Sequence, residues 1–202
     1  MDSTHRSYSS ISCYELCPYK YNKLVNEKIE VKKGYALARG SKIHSDIKAA
    51  IDSGKVADTL FNTNPSIMGV ADLLQNSHIE ISEEKMSIKL GAHEFVGIAD
   101  VVAVIKNERY IIDWKSGRDR GIQPHMHQLN LYANMVECLY NKKVNKVAIY
   151  YVDEGQLYEA KFEDGKKQET ICWAIGLMQK IEGDKKFEKK RGEYCRWCDV
   201  IS

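Results

Sequence analysis

Two periodicities of apolar residues alternate along this chain, and their order outlines the architecture. In residues 8–27, Ile11, Tyr14, Leu16, Tyr19 and Leu24 recur at helical intervals, with Ser9 or Ser10 as the expected N-cap. Pro18 removes a backbone donor in the middle of that run, so a kink or break is expected near Cys17. A second helix is predicted over residues 35–51, with Ala38, Ile43, Ile47, Ala50 and Ile51 as core positions and Ser53 and Gly54 as its stop. Residues 52–74 hold Gly54, Pro65 and Gly69 and predict only a short helix among loops. From His78 the period shortens towards two, through Ile79, Ile81, Met86, Ile88 and Leu90, with Ser82, Glu83 and Glu84 as a turn or bulge.

Gly91 and Ala92 then turn the chain into a β-hairpin. Its strands are residues 101–105 and 110–112, joined by a polar turn at 106–109. Downstream, helices are predicted over 125–140, with Leu129, Leu131, Met135 and Leu139 packing on a sheet, and over 165–182. Strands are predicted over 144–153 and 157–162 between them. The order predicts an α/β domain with a central mixed β-sheet flanked by helices. One domain of residues 1–202 accounts for it, with a helical part (1–75), a core (76–182) and a cysteine-bearing tail (183–202).

The hairpin carries the candidate chemistry. Alternation puts Ile111, Asp113 and Lys115 on one side of the second strand and Tyr110, Ile112 and Trp114 on the other. A carboxylate and an ammonium therefore project together, and Asp100 on the first strand can lie beside them. Two carboxylates and the Trp114 carbonyl would make an oxygen site for magnesium or manganese, with Lys115 stabilising negative charge on a phosphate. On spacing alone, a plain ion pair between Asp113 and Lys115 is as good a reading.

Composition adds limits rather than identity. The 202 residues carry 30 basic and 28 acidic side chains, a formal charge of +2, so any nucleic-acid binding must come from local patches. No apolar run approaches a membrane span, and the polar first residues are unlike a secretory signal, which together predict a cytoplasmic protein without a membrane partner.

In order and spacing, Gly97-Ile-Ala-Asp100, Ile111-Ile-Asp113-Trp-Lys115 and Gln128-Leu-Asn-Leu-Tyr132 resemble the PD-(D/E)XK nuclease superfamily, in its RecB-like exonuclease branch. That branch includes the AddB nuclease domain, small CRISPR adaptation nucleases and phage exonucleases. The resemblance extends to Ser9-Ser10-Ile11 with Cys17-Pro18, to Gly40 with His44, and to Cys195-Arg-Trp-Cys198. It implies a restriction-endonuclease-like core. By that resemblance His44, Asp100, Asp113 and the Trp114 carbonyl hold Mg or Mn, Lys115 is the catalytic lysine, and Gln128 and Tyr132 position substrate. His44, otherwise an ordinary helical histidine, becomes a ligand that favours manganese.

The cysteines divide. Relatives with a cluster use one N-terminal and three C-terminal cysteines to hold 4Fe-4S, and this chain matches Cys17, Cys195 and Cys198 but lacks the last. Cys13 as the fourth would serve a cluster or tetrahedral zinc. The alternative is simple packing of the chain ends through Trp197 and Tyr14. Cys138 and Cys172 are expected in the core.

Lys20, Lys23, Lys32, Lys33, Arg118 and Arg120, with the basic run 185–191, are candidate phosphate contacts. Tyr14, Tyr19 and Tyr21 could stack on unpaired bases, and His125 and His127 are expected at the surface. The function implied is a metal-dependent DNA exonuclease acting on single-stranded ends in recombination, repair or CRISPR adaptation, with proteins of those systems or a second copy of the chain as partners. An endonuclease of the same superfamily and a non-catalytic DNA-binding subunit are the alternatives.

Overall fold

A computed structural model describes residues 6–31, 34–198 and 200, with the side chains of Tyr194 and Trp197 excepted. Lys32, Lys33 and the Trp197 side chain, singled out above, lie outside the described residues. The short strand β1 (Arg6–Ser7) leads into α1 (Tyr8–Leu16). The helix is capped by Ser7 rather than Ser9 or Ser10, because Ser7 and Ser10 exchange hydrogen bonds in a capping box. Pro18 breaks the run as expected. Cys17 is extended, and α2 (Pro18–Tyr21) begins with the proline at its first position, where no donor is needed, before a π-helical turn at Asn22–Asn26.

Helix α3 (Tyr35–Ser53) ends at Gly54, whose φ of 67° is the left-handed C-cap that glycine adopts without strain. The segment expected to be mostly loop is largely helical: α4 (Val56–Thr63), a 3₁₀ turn at Pro65–Ile67 and α5 (Gly69–Gln75). Their buried Leu60, Ile67, Val70, Ala71 and Leu74 explain the difference. Tertiary burial of short apolar stripes outweighs the local breakers.

The sheet is built on β3 (His93–Ile105). Along one edge β3 pairs antiparallel with β2 (His78–Leu90). Along the other it pairs first with β1, in parallel, and then antiparallel with β4 (Glu108–Lys115). The hairpin turn is tighter than predicted. Only Lys106 and Asn107 lie between the strands, both at positive φ (49° and 64°), the backbone of a two-residue turn whose twist matches the strands. β4 pairs in parallel with β5 (Lys146–Tyr151), which pairs antiparallel with β6 (Gln156–Lys161), completing a mixed six-stranded sheet.

Period-two alternation on β4 feeds two separate cores. Ile111 packs with α1, α6 (Met126–Tyr140) and α7 (Asp164–Gly183), among them Leu129, Met135 and Met178. Tyr110, Ile112 and Trp114 pack on the opposite face with Ile43, Ile47, Leu60 and Val70 of α3, α4 and α5. Helices thus cover both faces, which is why a central strand such as β4 is buried on both sides from Tyr110 to Trp114. Four expected core positions are corrected: Ala38, Cys138, Leu139 and Cys172 are exposed. Ala38 lies in the first turn of α3, and Cys138 and Leu139 in the last turn of α6, where each helix projects past its partners. Cys172 is on the outer side of α7. Among the described residues, no helix is long and apolar enough to cross a membrane.

Candidate active site

The site opens where β3 and β4 stop pairing. Their ladder runs as far as Val101 opposite Ile112, and the next residues, Asp100 and Asp113, stand at the fork. There the Trp114 N–H donates to Asp100 Oδ2 (2.8 Å) in place of a strand neighbour. A backbone group freed by the splaying strands is thus satisfied by an acidic side chain.

Both helical layers contribute to the fork. From α3, His44 lies 3.0 Å (Nε2) from the Trp114 carbonyl and 3.3 Å (Nδ1) from Asp100 Oδ1. The Trp114 carbonyl can only accept, so Nε2 is the donor in that contact. Burial disfavours the charged imidazole, but the hydrogen bond to Asp100 and the charges of Asp100 and Asp113 outweigh it and raise its pKa. From α6, Gln128 Nε2 donates to Asp113 Oδ1 at 2.8 Å, and Tyr132, one turn on, lies beside Gln128 with its hydroxyl pushed up to about 12, chiefly by burial. Lys115 Nζ is 2.5 Å from Asp113 Oδ2. These residues line one cleft of about 870 Å³ together with Gly40, Glu83, Ile98 and Ser116.

Gly97 sets how closely α6 approaches. A Cβ there would stand 2.7 Å from Tyr132 Cε1 and 2.9 Å from Met135 Sδ, so only glycine lets this part of α6 lie on β3. Helix α3 is tied to the far wall of the cleft through Asp153. That carboxylate accepts from both terminal nitrogens of Arg39 and from the Gly117 N–H (3.0 Å).

Asp113 is 2% exposed. Burial first, then the charge of Asp100, push its carboxyl up to about 6 against the pull of Lys115. Lys115 pays a desolvation cost too, yet Asp113, ahead of Asp100, holds it above its ordinary value. Although the pair is in ionic contact, Asp113 Oδ2 accepts no hydrogen bond of good geometry. A buried carboxylate oxygen that is not fully satisfied is what a cation would complete. Two carboxylates, an imidazole and a backbone carbonyl suit magnesium or manganese. The residues therefore fit such an ion in donor chemistry, although among the described residues no three His, Cys, Asp or Glu side chains stand arranged as a metal-binding group. As they stand, the acids are engaged by His44, Lys115, Gln128 and the Trp114 amide.

The sequence predicts a turn or bulge at Ser82, Glu83 and Glu84. Glu83 lies within β2 at a φ of 48°, unusual for a side-chain-bearing residue in a strand, between Ser82 opposite Val101 and Glu84 opposite Ala99, a register that sets it across from Asp100. The distortion brings its carboxylate into the cleft, 3.9 Å from His44 Nδ1, where burial and Asp100 raise its pKa. The break in the strand was legible in the sequence; the approach of Glu83 to His44 and Asp100 was not. His125 is also nearer than expected: its ring packs on Tyr151, and burial, then Lys115 and Arg120, lower it to about 4. Tyr14 and Tyr21 are buried core residues and cannot stack on bases, whereas Tyr19 is partly exposed.

The cysteines lie apart from this cleft. All six are free thiols. Cys17, Cys195 and Cys198 line a second cavity, and Cys13 is close enough to Cys17 and Cys198 to be influenced by both. Sulfur donors suit zinc or an iron-sulfur cluster, but the absence of a metal-binding group among the described residues applies here as well.

A mixed sheet with helices on both faces, forked over an Asp-Asp-Lys cluster, defines a nuclease-type α/β fold. A sequence profile of the PD-(D/E)XK nuclease superfamily matches residues 66–202, and the chain belongs to that superfamily. None of the curated proteins matches it. Among solved structures, a protein of Eubacterium rectale assigned as an exonuclease is 16% identical, with a TM-score of 0.58 over 100% of this chain and 90% of that one. This likeness supports the fold. Two weaker likenesses are SSO0001 (14% identical, TM-score 0.48, 98% and 84% covered) and LHK-Exo in complex with dAMP (10%, 0.41, 89% and 91%).

Proposed function

We propose that this chain is one catalytic unit, a metal-dependent deoxyribonuclease of the RecB-like branch that removes nucleotides from single-stranded DNA ends. The observation that carries the reading is the fork at Asp100 and Asp113, where a buried, incompletely satisfied carboxylate and an ammonium face an open cleft. Asp100, Asp113, His44 and the Trp114 carbonyl would hold the ion, which when bound polarises a phosphate and lowers the pKa of water.

The protein's own groups have separable tasks. Lys115 offers a fixed positive charge where negative charge grows on the phosphate during hydrolysis. Asp113 keeps that lysine protonated and aimed. Gln128 fixes the rotamer of Asp113 from α6, and Tyr132 buttresses Gln128. His44 holds Asp100 and the Trp114 carbonyl in register from the other layer.

The test is degradation of an end-labelled single strand with Mg or Mn, comparing the unmodified protein with Lys115→Ala. Metal-dependent release of nucleotides that Lys115→Ala loses supports the reading; equal rates, or none from either, would end it. Closed circular single strands separate the exonuclease from an endonuclease, since an end-dependent enzyme leaves them intact. For Cys13, Cys17, Cys195 and Cys198 the reading extends to three alternatives, a cluster, zinc or plain packing, to be decided by iron and zinc content of anaerobically purified protein.

A further inference from the structure

Away from the catalytic cleft, the chain ends build a cavity of about 790 Å³ between α1, α2 and the tail. Five cations line it (Lys20, Lys189, Lys190, Arg191 and Arg196) against one carboxylate, Glu193. Lys189, Lys190, Arg191 and Arg196 are exposed, and among the described residues none of the five is in a salt bridge. Lys189 and Lys23 each lie near the ring of the partly exposed Tyr19, at 4.5 and 5.4 Å from its centroid. Five like charges gathered around one carboxylate repel one another, and a polyanion offsets that repulsion.

The cavity is joined to the catalytic cleft by a continuous row of groups. Tyr8, at the first position of α1, directly follows β1, which pairs with Phe95 and Val96 of β3, the strand that carries Asp100. Its ring centroid is 6.2 Å from that of Trp173 on α7, and His127 on α6 is 4.2 Å from the same indole. Trp173 Nε1 donates to Glu15 (2.9 Å), and the Glu15 carbonyl accepts from Lys190 (3.0 Å), a residue of the cavity. Aromatic faces followed by unpaired cations match the requirements of unpaired bases followed by phosphates.

Resting on the nuclease reading, we propose that this row is the path of the substrate strand: bases of single-stranded DNA lie against Trp173 and His127, and phosphates beyond them are anchored by Lys189, Arg191 and Arg196. Helix α1 spans the interval with nine residues, about 13 Å at 1.5 Å per residue. That is roughly four nucleotides at the 3.4 Å rise of a stacked strand. The anchor therefore favours strands longer than the bond being cut requires.

The experiment measures binding of a fluorescent 12-nucleotide single strand, in chelator so that nothing is cleaved, across a salt series. Replacing Lys189, Arg191 and Arg196 together by Ala is expected to reduce affinity at least tenfold and to lower the log–log salt slope by about 2, near 0.7 per lost phosphate contact. Trp173→Ala is expected to weaken binding roughly 5- to 100-fold with the slope unchanged, the range of one lost stacking partner, and Trp173→Phe to restore most of it. An unchanged slope in the triple variant overturns the anchor. So does a loss confined to double-stranded DNA. Failure of Trp173→Phe to restore binding, with its melting curve intact, overturns the stacking track. If the unmodified protein degrades single strands and Lys115→Ala does not, while the triple variant binds normally, the path is wrong and the nuclease reading stands.

Discussion

Two charged clusters sit on the same three strands, and they are built in opposite ways. On β2 and β4, away from the fork, Glu80 receives Arg109 through Nε (2.5 Å) and Nη2 (3.1 Å) and also Lys142 (3.0 Å). Hydrogen bonds from Arg109, ahead of Lys142, hold its carboxyl down near 2. At the fork, Asp113 faces one lysine and one amide, stands close to a second acid, and is pushed up instead. The first cluster has more donors than its charge needs and so acts as a clasp. The second leaves a carboxylate unmet beside open space, so folding has left part of its electrostatic compensation to whatever enters the cleft.

The largest effect expected to break this contrast is Lys115→Ala, which should cost at least a hundredfold in the rate of single-strand degradation and, because it leaves buried Asp113 without its counter-charge, about 3 kcal/mol of stability. A melting curve and a rate measurement on one preparation check both halves.

Glu80→Gln should touch stability alone. Discounted for solvent around Lys142, about 1–2 kcal/mol of stability should disappear from urea unfolding, with the cleavage rate retained. Because the folded carboxyl lies below its ordinary value, this contribution is complete above the unfolded carboxyl's pKa of about 4.5 and fades as pH falls towards 2. Glu80→Gln should flatten that acid limb; an unchanged limb would remove Glu80 as its source.

Gly97→Ala joins the two behaviours. The new methyl displaces Tyr132 and Met135, so roughly 1–3 kcal/mol of overpacking, read from urea unfolding, should accompany a fall in rate through Gln128. The smallest effect is assigned to Cys138→Ser and Cys172→Ser. As both thiols are exposed, neither should move the melting curve or the metal content measurably, whereas core positions would move the first and cluster ligands the second.

How much of this was legible along the chain depended on the range over which each feature is decided. The alternation of Ile111, Asp113 and Lys115 against Tyr110, Ile112 and Trp114 is a property of any strand, and the two cores follow it residue for residue. Pro18 likewise broke the first helix for a purely local reason. His44 was an ordinary helical histidine until the family resemblance singled it out, because nothing in α3 alone says that it meets Asp100, 56 positions later in the numbering. Glu83 was legible only as part of a turn or bulge, because what its carboxylate meets depends on the pairing of β2 with β3.

By itself, then, the amino-acid order determined which residues share a face and where proline and glycine stop an element, since sterics and hydrogen bonding act between near neighbours. Only the tertiary structure decided that β3 and β4 part at Asp100 and Asp113, that α3 and α6 close on the fork from opposite layers, and that the chain ends meet in a basic cavity at the far end of α1. Burial and charge belong to the assembled surroundings of a group, and those surroundings turn an Asp-x-Lys spacing into a buried ion pair with one carboxylate oxygen unsatisfied beside a cleft.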